Sequence, residues 1–526
     1  MRDAASSCKP GRMCSCYRYL NGPFLFGLLV LGGCTTVGPD FTAPGWSGPA
    51  AWFRGAKPRP PISETVEAPI DPNWWTLFKD PTLTALEQRV ANENFDVRIA
   101  AARIEESRAQ YDSAMAAGLP NINGNASYTR QKASNVGVFA NAPNPLGASG
   151  ISGSTAGGLA SHTLNAFDAF QAGFDASWEL DLWGKIRRSV ESAGATTVAS
   201  EEARRGVLLT NLAEVARDYI TLRGVQTQLR IARDNAGIAR DSLKLAQQRA
   251  QGGVATSLDV ANAATQVSTT LAQIPALEQQ EAQLINALSL LLGMPPDGLR
   301  AELQKPGSVP PVPPRVPVGL PSELARRRPD VRQAEAQLHA ATANIGVAQA
   351  AFYPSVTLSG SVGLQALEFA PMFGWNARQY SLGPGVTVPI FEGGRLKATL
   401  HLTEAQQKEA VLTYQQTVLT ALHEVDNALI AYRSEQGRRE QLIEAVAESQ
   451  RALDLARQRY AQGVSDFLTV LVAEQTLLTN QLSLSDSTTT VSANLVALYK
   501  ALGGGWETDL PEGTKQAAAE TGGTKH

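Results

Sequence analysis

Side chains that could make or break bonds are few in this chain, and their spacing suits no reaction. The five histidines, His162, His339, His401, His423 and His526, are scattered without the spacing of a metal site or a nucleophile–base pair. No phosphate-binding glycine loop, G-x-S-x-G elbow or H-E-x-x-H helix is present. The four cysteines, Cys8, Cys14, Cys16 and Cys34, all fall at the N-terminal end. The remainder can therefore build neither a disulfide framework nor a thiolate metal centre. No enzyme activity, cofactor or metal is expected. What the chain does carry is one polar turn written twice. "LAQQRAQGGVATSLDVA", Leu245–Ala261, and "LARQRYAQGVSDFLTVL", Leu455–Leu471, match at eight of seventeen positions, with Arg249 over Arg459 and Gly253 over Gly463. Hydrogen bonding and ion pairing at the end of a helix pair is the chemistry such a turn offers, and each glycine permits a left-handed turn between antiparallel helices.

Two such turns need a duplicated chain to hold them. "FDVRIAAARIEESRAQYDSAMAAGLPNINGNAS" from Phe95 matches "PDVRQAEAQLHAATANIGVAQAAFYPSVTLSGS" from Pro329, with Asp96 over Asp330 at an offset of 234. Further on, Gly184 over Gly394 and Glu214 over Glu424 give an offset of 210, so the first copy carries 24 extra residues between Pro120 and Gly184 (234 − 210). These fall in "SNVGVFANAPNPLGASGISGSTAGGLAS", which reads as a long exposed loop. The copies are joined by "PGSVPPVPPRVPVGLP", Pro306–Pro321, a stiff extended connector with seven prolines in sixteen residues. Each copy reads helix, two strands, very long helix, glycine tip, helix. The expected division is residues 1–33 as a signal segment, 34–75 as an extended lead-in, 76–300 and 326–506 as the repeats about a 301–325 connector, and 507–526 as a disordered tail.

The N-terminal end points to export. "GPFLFGLLVLGGC" is a short apolar run after Lys9, Arg12 and Arg18, closed by small residues and Cys34. It is too short to span a bilayer as a permanent helix, and either Met1 or Met13 could be the start. Leu31-Gly32-Gly33-Cys34 resembles the bacterial lipobox, whose cysteine receives a diacylglycerol and an N-linked acyl chain such as palmitate; a plain signal peptide is the alternative. Thr35 follows where an aspartate would mark retention at the inner membrane, so the resemblance implies outer-membrane sorting with a lipid anchor. Without residues 1–33 the chain has 42 basic against 48 acidic residues, about −6, with no basic patch for nucleic acid.

Strand and helix patterns are both unusual. From Asn165 to Leu182, Phe170, Ala172, Phe174, Ala176, Trp178 and Leu180 alternate with Gln171, Gly173, Asp175, Ser177 and Glu179. Asn121–Thr129, the run after Pro354, and Ser381–Ile390 alternate likewise, which predicts four strands with a different solvent on each face. Half-buried strands of a sandwich also alternate, but small uncharged polar faces with aromatics near the ends favour a membrane barrel. Four strands cannot close one, and an open edge is not tolerated in lipid, so copies must share it: two copies would give eight strands, three would give twelve. Lys185–Gln251 and Arg395–Gln462 contain no proline, and as helices each would run about 100 Å. Leu208, Leu212, Val215, Tyr219, Leu222, Val225, Leu229, Ala232, Ala236, Ala239, Leu243 and Ala246 recur at alternating spacings of four and three, a coiled-coil seam. The returning helix from Ser257 should kink or break at Pro275. A hollow cylinder of paired helices fits these narrow seams, with a rod-like periplasmic scaffold as the alternative.

With "VGPDF" at Val37–Phe41, "DPNWWTLFKDPTLTAL", "SWELDLWGKIRR", "RRPDVRQAEAQL", "IFEGGRL" and "ALYKALGGGW", the chain resembles the TolC-like outer-membrane efflux factors from Cys34 to Trp506. The resemblance is to the lipoprotein subgroup serving resistance-nodulation-division (RND) pumps. It implies a mixed membrane α+β fold: a homotrimer with a twelve-stranded β-barrel, four strands per protomer, continued by a coiled-coil α-helical periplasmic tunnel. It implies passive conduction of substrate from an inner-membrane RND transporter through a periplasmic adaptor, with an exit duct for type I secretion or a non-conducting scaffold as alternatives. In that family the tips close the tunnel and meet the adaptor, which singles out Arg249, Gly253, Asp259, Arg459, Tyr460, Gly463, Asp466, Val472 and Glu474. By position Asp259 and Tyr460 match a pair whose hydrogen bond holds relatives closed. The family's closing arginine is replaced by Val464-Ser465-Asp466. Val472 stands where relatives carry the aspartate of the narrowest ring, leaving Asp466 or Glu474 as candidate charges nearby.

Overall fold

A computed structural model describes residues 36–45, 63–66, 68–132, 166–319 and 327–507. The signal segment, Cys34, His162, the Gly/Ser-rich insert and the C-terminal tail lie outside the described residues. The helices are α1 (Pro81–Glu93), α2 (Phe95–Ala116), α3 (Lys185–Gln251), α4 (Ser257–Leu291), α5 (Pro329–Ala350), α6 (Arg395–Ala461) and α7 (Phe467–Leu502), with one further turn at Arg300–Leu303. The strands are β1 (Glu64–Val66), β2 (Asn121–Gln131), β3 (Phe167–Leu180), β4 (Arg315–Pro317), β5 (Ser355–Ala366) and β6 (Arg378–Thr387). The order α2-β2-β3-α3-α4 returns as α5-β5-β6-α6-α7. Both long helices start behind a glycine in the left-handed region, Gly184 at φ 82° and Gly394 at φ 88°, 210 positions apart.

β2, β3, β5 and β6 pair in that order, all antiparallel. The register aligns the alternation across the whole sheet. Tyr128 sits opposite Phe170, Phe174 opposite Val362, Trp178 opposite Leu358, and Val362 opposite Tyr380. On the other face Asn121, Ser177, Ser359 and Gly383 form one row, and Asn123, Asp175, Ser361 and Ser381 the next. Phe174, Val362, Tyr380 and Leu382 are more than half exposed on the protomer, so the apolar face awaits cover by something other than this chain's own core. Aromatic rings collect at its two ends: Tyr128, Phe170, Phe369 and Phe373 in a chain of contacts, and Trp178 donating to Gly118 O at 2.9 Å. The fourth strand ends at Thr387, so Val388 and Ile390, expected within it, lie past its end.

α3 and α6 are unbroken over 67 residues each. Every predicted seam residue of α3 is buried except Leu243, which is half-buried. Midway along, a thick core forms where α1, α4 and α7 meet the long helices, around Trp74, Phe78, Leu208, Tyr219, Tyr432 and Tyr499. Trp74 stacks on Tyr499 with centroids 5.4 Å apart. Here the connector joins the body: β4 pairs parallel with β1, and Gln436 accepts from Ser63 N–H at 3.0 Å. Below this belt the apolar cluster thins to Ala246, Ala263, Leu453, Ala456, Tyr460, Phe467, Val470 and Leu477. The expectation at Pro275 fails in one respect: α4 runs through it as one helix. Pro275 is exposed, so the carbonyl that loses its partner can turn to water. No helix among the described residues is long and apolar enough to cross a membrane.

Candidate functional site

The two tips are built alike, bond for bond. At the end of α3, Gly253 takes φ 71°, Gly253 N–H bonds Ala250 O, and Val254 N–H bonds Arg249 O at 3.0 Å. At the end of α6, Gly463 takes φ 78°, its N–H bonds Tyr460 O, and Val464 N–H bonds Arg459 O at 2.9 Å. These paired bonds terminate a helix on a left-handed residue, a conformation that glycine adopts without a Cβ penalty. The next helices are capped by equivalent positions with their residues exchanged. Thr256 caps α4 and its hydroxyl donates to Asp259 Oδ2 at 3.0 Å, whereas Asp466 caps α7 and accepts from Thr469 Oγ1 at 2.6 Å. The Thr469 hydroxyl and N–H hold the Asp466 carboxyl below the usual aspartate range.

Elsewhere the aligned residues part company. Arg249 folds inward: its guanidinium lies 4.5 Å from the centroid of Tyr460 and donates to Tyr460 O. Arg459, its counterpart, is exposed. Tyr460 is buried against Phe467, ring centroids 5.3 Å apart, and burial pushes its phenol up. The expected Asp259–Tyr460 hydrogen bond does not form within the protomer. Tyr460 Oη has no partner among the described residues, and Asp259 is engaged with Thr256. Glu474 is not on the protomer surface either. It is buried, 2.9 Å from Arg457 Nη2, and accepts from Ser242 Oγ. Val472 is exposed, continuing a face of α7 that includes Leu468 and begins at Val464 in the turn.

Residue-by-residue reading missed Ser242 and Arg457 as partners of Glu474, and also the exposed dyads Val254/Leu258 and Val464/Leu468. The dyads were detectable, since the 210-residue offset superposes them. Among the described residues no group of three or more His, Cys, Asp or Glu could hold a metal.

Nearer the sheet, the segment from Thr36 is strapped onto α3 and α5. Val37 N–H bonds Trp183 O at 3.0 Å, and the buried Arg188 donates to Val37 O, Gly38 O and Asp40 Oδ1. Gly38 adopts φ 101° against the backbone of Gly346, where a Cβ would lie 2.5 Å from Gly346 Cα. Phe41 stacks on His339 at 4.3 Å, and His339 Nε2 is 2.9 Å from Glu191.

A two-faced antiparallel sheet, set on helix pairs about 100 Å long that end in closed glycine turns, defines one protomer of an outer-membrane channel of the TolC type. The family model for outer membrane efflux proteins matches residues 86–294 and 320–504, and the chain belongs to that family. It is 33% identical over 493 residues to the antibiotic efflux pump outer membrane protein ArpC of Pseudomonas putida, covering 94% of this chain and 97% of that one. It is 35% identical over 481 residues to the pyoverdine export outer membrane protein OpmQ of Pseudomonas aeruginosa, covering 91% and 96%. Among solved structures it resembles the outer-membrane channel OprN with a TM-score of 0.79 at 32% identity, over 90% of this chain and all of that one. These two relatives are outer membrane proteins of efflux and export systems.

Proposed function

We propose that three copies of this chain close their sheets into one twelve-stranded barrel in the outer membrane. A helical tunnel continues the barrel into the periplasm, and cargo passes through it without chemistry. The sheet carries the reading. Its apolar face is exposed on the protomer and its other face is polar with few charges, as a lipid-facing, water-filled barrel requires. β2 and β6 end the sheet with open edges, which copies of the chain satisfy by pairing edge to edge. An inner-membrane RND transporter supplies the energy, and a ring of periplasmic adaptor proteins docks on the tips. Val254/Leu258 and Val464/Leu468 support that docking: three protomers would present six equivalent apolar dyads in one ring. The tip residues Arg249, Gly253, Asp259, Arg459, Tyr460, Gly463, Asp466, Val472 and Glu474 form the closing end, with Asp259 completing the capping box of α4, Asp466 capping α7 and Glu474 inside the wall.

Cys34 is the proposed lipid anchor. The strap supports it, because Thr36 packs at Gly184, where β3 gives way to α3 at the foot of the sheet. The proposed division places the lipidated lead-in at residues 34–75 and the two repeats at 76–300 and 326–506. The relatives named above serve antibiotic and pyoverdine export, so cargo choice is assigned to the transporter and not to the duct.

Purified protein in planar bilayers tests the conduit. Channels whose conductance rises when the tips are loosened are expected, with one trimer as the conducting unit. A protein that inserts but never conducts, wild type or loosened, refutes the conduit and favours a scaffold.

A further inference from the structure

Below the central core, the seam between the first hairpin (α3–α4) and the second (α6–α7) carries buried and half-buried polar side chains at heptad intervals. On α3 these are Asn235, Ser242 and Arg249; on α7, running the other way, Gln481 and Glu474. Asn235 Nδ2 donates to Gln481 Oε1 at 2.7 Å. Seven residues further, Ser242 Oγ donates to Glu474, while Arg457 of α6 reaches Glu474 at 2.9 Å, Ser242 Oγ at 3.0 Å and Ile238 O at 3.0 Å. Seven further, Arg249 covers Tyr460. Asn235, Ser242, Glu474 and Tyr460 are all buried, at positions where the surrounding seam is alanine and leucine.

Polar groups buried in a seam cost stability unless each is satisfied, so three rungs at one repeat call for a reason. Higher up, the same helices are joined differently: Gly224 packs directly against Thr489, within the thick apolar core. A seam of hydrogen bonds can part more cheaply than an apolar one. When the seam parts, water replaces each partner, so the bonds are exchanged rather than lost, at least cost for the neutral Asn235–Gln481 rung and at more for the charge-assisted ones. The distribution of charge fits parting too. At the central rung, Arg457 and Glu474 both belong to the second hairpin, so the ion pair travels with it intact and loses from the first hairpin the Ser242 hydroxyl and the Ile238 carbonyl, neither of them charged.

We propose that these rungs are a latch between the two hairpins of one protomer, closed at rest and parted when the mouth opens, with Arg457–Glu474 as its central rung. This rests on the conduit reading above and adds to it positioning residues within the wall, away from the surface of the mouth. The latch makes closure depend on the pair and not on either charge alone. Removing one partner strands the other in the closed seam, whereas replacing both with apolar side chains restores a packed, closed seam.

The test uses the full-length protein with Glu474→Met, Arg457→Met and the double variant. Each single variant is expected to raise open probability in planar bilayers about tenfold or more, and the double variant to return to the wild-type level or below. Hydrogen exchange over residues 235–249 and 474–481 reads the seam directly, faster in each single variant and restored in the double. Unchanged exchange in both single variants, or a double variant as open as the singles, overturns the latch while leaving the conduit standing. Faster exchange in a protein that never conducts overturns the conduit, and with it the gating role.

Discussion

Arg249 and Arg459 occupy the same place in the two copies, yet removing them should have unequal effects. Arg249 is half-buried, its guanidinium 4.5 Å from the Tyr460 ring and bonded to the Tyr460 carbonyl; Arg459 is exposed. Arg→Met keeps most of the stem packing and removes the charge. Losing the ring contact costs about 0.5–2 kcal/mol. Losing the charge-assisted hydrogen bond adds about 1.5–3 kcal/mol. The solvent that reaches a half-buried site recovers part of this, so about 2–3 kcal/mol is expected for Arg249→Met. That is about 30- to 150-fold in local opening. Arg459→Met should fall within about 0.5 kcal/mol, as surface substitutions do. Hydrogen exchange of the tip amides reads this without any assumption about transport, because Gly463 and Val464 N–H are held by the turn next to Tyr460. Equal acceleration in the two variants, or none in Arg249→Met, would refute the assignment of Arg249 as the inward half of the pair.

Three further outcomes follow from the packing. Glu87 is buried with neither carboxyl oxygen bonded, and burial raises its pKa well above 4.5. Its neutral form is therefore the folded one, and stability falls as pH rises above 4.5 by up to about 1.4 kcal/mol per unit. Glu87→Gln should match the wild type in thermal unfolding near pH 4 and exceed it as pH rises above 4.5; a gap that does not change with pH would contradict this. Gly346→Ala places a Cβ 2.9 Å from Val37 O and should release the strap, read as faster proteolysis within residues 36–45 with the helices still protected. In Gly224→Ala the new methyl collides with Thr489, and a loss of about 1–3 kcal/mol in thermal unfolding is expected, relieved by a companion Thr489→Ala.

Much of the fold was legible because its signals are periodic. The α3 seam could be read from spacings of four and three, since an apolar stripe that narrow has only one face to bury. Strand alternation predicted two faces, and the register extends them across four strands without a slip. The helix does not break at Pro275, because the cost of the proline depends on whether the orphaned carbonyl meets water or protein, which chain-local reading does not contain. Glu474 is buried in the protomer for a geometric reason. It lies two residues past Val472, about 200° round the helix, so it faces into the seam when Val472 faces out.

From the sequence alone came the duplication, the two glycine turns, the paired long helices and the two-faced strands, all set by local propensity and by period. Tertiary structure decided which of two aligned arginines turns inward, and that Glu474 pairs with Arg457 beneath Ser242, 232 positions away in the chain. Those outcomes depend on the rotation of α7 against α3, which the central core around Trp74, Tyr432 and Tyr499 sets for helices that continue well below it. Repeats identical in pattern thereby acquire different partners, because each copy of the tip packs against the other as well as against itself.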